Sequence, residues 1–111
     1  MLKPTDIEKV LADIATRIEH GQVVVHQADE RFTEAQRDHE WSMAHALLRA
    51  EGSNAEARKA VAVLACKQER IEMDVAGLAL RDAQGRMRAL RDKADLYRSI
   101  GSSVRTSMSL S

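Results

Sequence analysis

From Ile7 to Ala35, apolar and small residues recur in an unbroken alternation of four and three: Ile7, Leu11, Ile14, Ile18, Gly21, Val25, Ala28, Phe32 and Ala35. A strand repeats every two residues, so this spacing excludes one. It describes a long α-helix lying along a partner helix with coiled-coil packing. The rest of the chain offers little with which to build anything else. In 111 residues there are five Gly, one Pro and three aromatics (Phe32, Trp41, Tyr97), while 31% of residues are charged. The turns and strands of a β or α/β fold need more Gly, Pro and β-branched residues. The length allows one domain. The reading is an all-α single domain over residues 1–111.

The partner helix follows from the middle of the chain, Ala50-Glu51-Gly52-Ser53-Asn54-Ala55-Glu56. Gly52 suits the left-handed conformation that ends a helix. Ser53, with Glu56 three residues on, reads as a capping box that starts the next one. Thr5-Asp6-Ile7-Glu8 after Pro4 is a second box. The spacing therefore predicts a helix over about 5–51, a turn at 52–53, and an antiparallel helix over about 54–100. A flexible Ser-rich tail is expected from 101 to 111. The second seam is read as Ala57, Val61, Leu64, Gln68, Ile71, Val75 and Leu78, restarting at Ala83, Met87, Leu90, Ala94 and Tyr97. Folding at Gly52-Ser53 sets Trp41 near Leu64, Ile18 near Met87, Cys66 near His39, Arg86 near Glu19, and Gly21 opposite Gly85. A break at His20-Gly21, beside Val23-Val24-Val25, is the three-helix alternative.

The expected core or oligomer seam includes Ile14, Ile18, Phe32, Leu64, Ile71 and Leu90. Further apolar residues lie off it: Val24, Met43, Leu47, Val63, Met73, Leu80 and Leu96. A lone hairpin leaves many of these in water. The economical solution is a homodimer in which two hairpins form a four-helix bundle. Formal charge is zero in total but uneven. Residues 1–56 hold six basic and eleven acidic side chains, and residues 57–111 hold eleven and six. Side-by-side helices satisfy much of that asymmetry.

A search for chemistry finds none. His20, His26, His39 and His45 lack the three- or four-residue spacing that puts metal ligands on one helix face, and Glu-x-x-His is absent. No glycine-rich phosphate cradle occurs. Cys66 is the only cysteine and reads as a small apolar side chain. No catalytic residue, metal or cofactor is expected. Glu30, Glu34 and Asp38 form an acidic row that reads as a solvated edge. The first segment has no apolar core of a secretory signal, and no run approaches the ~20 apolar residues of a membrane span. A cytoplasmic setting follows.

Ala50-Glu51-Gly52-Ser53 with Arg58-Lys59, and Leu90-Arg91-Asp92-Lys93 leading to Arg98-Ser99-Ile100-Gly101-Ser102, resemble a group of small helical-hairpin proteins encoded by tailed phages, particularly those of actinobacteria. The resemblance implies a non-structural role beside phage replication and recombination, and carries over no catalytic residue. The expected function is therefore a non-enzymatic interaction and oligomerisation protein acting on a phage or host partner. Its docking residues are read as Trp41, Met43 and Leu47 near the turn, with Arg88, Arg91 and Arg98 on the basic end. The alternatives are a weak nucleic-acid-binding accessory using that basic end, and a small virion component.

Overall fold

A computed structural model describes residues 2–110 and contains three helices: α1 (Pro4–Arg49), α2 (Ala55–Ala65) and α3 (Lys67–Leu110). There is no strand among the described residues. The chain divides into two compact units. One joins residues up to Val25 with those from Asp82 onward, and the other comprises His26–Arg81.

Pro4 opens α1, where its fixed φ suits the first helical position and its missing N–H costs nothing. The Asp6 carboxylate accepts from the Lys3 backbone N–H at 3.1 Å, so the cap is centred on Lys3 rather than Thr5. From there α1 runs without a break through Gly21 and the three valines to Arg49. The interruption that makes three helices lies instead at Cys66, between α2 and α3. Its N–H is shared among the carbonyls of Ala62, Val63 and Leu64, and the Arg70 N–H already bonds the Cys66 carbonyl at 3.0 Å. The helical ladder is thus tightened for one residue and then resumes.

The connection between α1 and α2 is five residues, 50–54, where two were expected. No glycine among the described residues has a positive φ, so Gly52 does not supply a left-handed cap. Asn54 replaces Ser53 as the N-cap: its backbone is extended and its Oδ1 accepts from the Ala57 N–H at 2.8 Å. Asn54→Ala is expected to cost about 1 kcal/mol and Ser53→Ala close to nothing, measured by chemical denaturation.

The register differs as well. In the first unit Met87 sits against Gly21, three residues beyond the expected Ile18, and Ile7 packs on Gly101. Gly85 therefore does not face Gly21, and a Cβ added at Gly85 meets nothing within 4 Å. Gly85→Ala is expected to raise stability by about 1 kcal/mol, the helix-propensity difference, in the same denaturation assay. In the second unit Phe32 lies on Gly77.

The seam of α1 continues in its heptad through half-buried His39, Ser42 and Ala46. The facing stripe differs from the one expected. Ala62, Cys66, Glu69, Met73, Ala76, Leu80, Ala83, Met87, Leu90, Ala94, Tyr97, Gly101 and Val104 are buried or half-buried, alternating four and three without a step. Much of this stripe is Ala, Gly or Cys, and its small side chains let the large residues of α1 pack close to the opposing backbone. Ile14, Ile18, Phe32 and Leu90 lie on the seam, whereas Leu64 and Ile71 lie outside it. Past Gly101, α3 continues to Leu110 where a flexible tail was expected. Val104 keeps the seam, and the hydroxyls of Thr106 and Ser109 donate to the Ser102 and Thr106 carbonyls at 3.0 Å.

Candidate interaction surfaces

The second unit carries the larger apolar surface. On α1, Trp41 is 65% and Leu48 85% exposed, with Leu47 also exposed and Met43 half-buried. Trp41, Ala44 and Leu48 follow one another at three and four residues, so they share one outer stripe. On α2 and α3, Val61, Leu64, Ile71, Val75 and Leu78 are exposed, Leu64 to 74%. Of the other off-seam residues, Val24, Val63 and Leu96 are exposed, while Met73 and Leu80 join the seam. The stripe Val61–Leu78 is exposed although its heptad is plain in the sequence: it is the bulkier of the two stripes, so hydrophobicity alone ranks it for the interior.

Glu30, Glu34 and Asp38 line a groove of the second unit with Arg31 on α1 and Ile71, Glu72 and Val75 on α3. The edge is solvated, and Glu30 Oε1 lies 3.0 Å from His26 Nε2. Among the described residues no group of three or more His, Cys, Asp or Glu side chains is placed to hold a metal ion. Cys66 is buried and borders a cleft with Ser42 and His45 rather than with His39, as the shifted register requires.

Arg88, Arg91 and Arg98 of the basic end belong to the first unit. Arg88 and Arg91 are exposed, Arg98 Nη1 is 2.9 Å from Asp95 Oδ1, and Arg86 Nε is 3.1 Å from Asp82 Oδ2 rather than near Glu19. Neighbouring carboxylates on the same helix thus offset part of the positive charge. At such exposure each pair contributes under about 1 kcal/mol to stability. Tyr97, half-buried on the seam, is poorly placed to stack on a base. DNA binding is therefore expected to be weak, indifferent to sequence and lost near physiological salt. Fluorescence anisotropy with single- and double-stranded DNA at two salt concentrations checks this. Submicromolar affinity that survives the higher salt, and is abolished by Arg88→Glu with Arg91→Glu, contradicts it.

Among the described residues no helix is long and apolar enough to cross a membrane. Comparison with known proteins finds no matching family model, curated protein or solved structure.

Proposed function

We propose that this chain is a non-enzymatic helical interaction module that self-associates and docks on a second protein. The observation that carries this reading is the large apolar surface left in water on the second unit, on both α1 and the α2–α3 segment. Scattered exposed leucines need no explanation, but two stripes at helical spacing match the surface that helices bury against other helices. The assembly proposed is a pair of chains forming a four-helix arrangement in the cytoplasm. The partner proposed, on the resemblance to phage proteins, is a phage or host protein of DNA replication or recombination.

Self-association is tested by sedimentation velocity over two decades of concentration, and a monomer throughout rejects it. Docking is tested by affinity capture from infected cells with wild type beside Trp41→Glu/Leu48→Glu. The reading expects a stoichiometric partner that the double variant loses while its circular dichroism stays helical.

A further inference from the structure

The stripe Val61, Leu64, Gln68, Ile71, Val75 and Leu78 is a second heptad on the α2–α3 segment, displaced from the seam by more than a quarter turn of helix. We infer that it is a parallel two-stranded self-association face, in which it meets the same stripe of a second copy of this chain. The inference rests on the proposed self-association and adds which face is used, in which direction and in what register.

The residue types select this occupant. Taken as heptad positions, Val61, Gln68 and Val75 fall at the first core site and Leu64, Ile71 and Leu78 at the second. β-branched residues at the first site with Leu at the second, as at Val61–Leu64 and Val75–Leu78, favour parallel dimers, with Ile71 the one departure, and one polar residue at a first site fixes register. In a parallel pair Gln68 faces Gln68 of the other copy, and each amide can donate to and accept from its twin. In an antiparallel pair centred on the same stripe Gln68 faces Ile71 twice, which leaves two amides against apolar side chains.

The flanking charges agree. The residue before Gln68 is Lys67 and the fourth after it is Glu72, both exposed. Across a parallel interface residues five apart in this sense lie side by side, so Lys67 of each copy meets Glu72 of the other, twice by symmetry. The antiparallel arrangement would direct Lys67 to Asp74, whose carboxylate already lies 3.2 Å from Arg70 Nε on its own helix. Gln68 now donates to Glu72 at 3.3 Å, a long and exposed bond that exchange for a partner amide replaces readily.

The test uses the full chain and two readouts. By sedimentation, Leu64→Glu/Leu78→Glu is expected to weaken the dimer tenfold or more with helix content unchanged by circular dichroism, since both side chains lie outside the fold's own seam. Lys67→Glu alone is expected to weaken it severalfold, and Lys67→Glu/Glu72→Lys to restore it. For direction, Val75→Cys in a Cys66→Ala background is expected to oxidise to a covalent homodimer. In an antiparallel pair Val75 faces Leu64, so Val75→Cys would link only to a Leu64→Cys chain, and that result overturns the inference. A wild-type dimer indifferent to Leu64→Glu/Leu78→Glu overturns this face while leaving self-association standing. A wild-type monomer at every concentration removes both.

Discussion

Ile14→Asp is expected to lower stability by about 4 kcal/mol or more, whereas the same charge at Leu64 leaves a monomeric chain's stability within about 1 kcal/mol of wild type. Ile14 is 2% exposed and is the largest fully buried side chain among the described residues. Removing its apolar bulk alone costs about 2–5 kcal/mol, and the carboxylate that replaces it must be protonated or left unpaired in a dry seam. A small domain has about 5–15 kcal/mol in total, and here four of the eight buried apolar residues among the described ones are alanines, so one such change consumes most of it. Leu64 projects into water, and Asp there sacrifices little beyond helix propensity. Thermal melts by circular dichroism, at a concentration where the chain is monomeric, separate the two. Equal losses would mean that the second helix turns its bulky stripe inward after all.

That contrast also shows where sequence reasoning succeeds and where it stops. The α1 seam was legible because its large side chains are the ones that pack inward, so bulk and burial report the same face. On α2 and α3 they report opposite faces. Ala62, Cys66, Ala76, Ala83 and Ala94 go inside and Val61, Leu64, Ile71, Val75 and Leu78 outside, and a pattern of hydrophobicity ranks the second set first. The apparent step between Leu78 and Ala83 was the point where the reading passed from the outer stripe to the inner one. The turn was legible as a turn, but Ser53 and Asn54 are both good caps. The choice of Asn54 lengthens the connection. Nothing local marks Cys66, which has neither Gly nor Pro beside it. The pairings of Arg86 with Asp82 and of Arg98 with Asp95 follow from three- and four-residue spacing and were readable in principle. For Arg86, the expectation of a contact across the helices displaced that local reading. Near the turn, Leu47 was readable as lying off the seam, whereas the expected register set Trp41 against Leu64 and the structure leaves both exposed.

The shifted register makes its own prediction at Gly21. A Cβ placed there runs into Met87 Sδ, an atom in the middle of a buried side chain, so Met87 cannot simply swing its end aside. Gly21→Leu gains up to about 1 kcal/mol of helix propensity but overpacks the seam, which costs about 1–3 kcal/mol, and the net result is a loss. Met87→Ala alone opens a cavity on the opposite helix and is expected to cost about 2–5 kcal/mol. In the double variant the new leucine enters the space that methionine vacated. The combined loss should then fall short of the sum of the two single losses by about 1–3 kcal/mol, a coupling characteristic of residues in contact. Chemical denaturation of the four proteins gives the cycle. Strict additivity would place Gly21 and Met87 apart, as the shorter connection at Gly52-Ser53 would have done by pairing Met87 with Ile18. Repeating the cycle with Gly85 in place of Gly21 supplies the control: residues two apart on a helix do not face each other and the Cβ added at Gly85 points into open space, so Gly85→Ala and Met87→Ala share no contact and should add within about 0.5 kcal/mol.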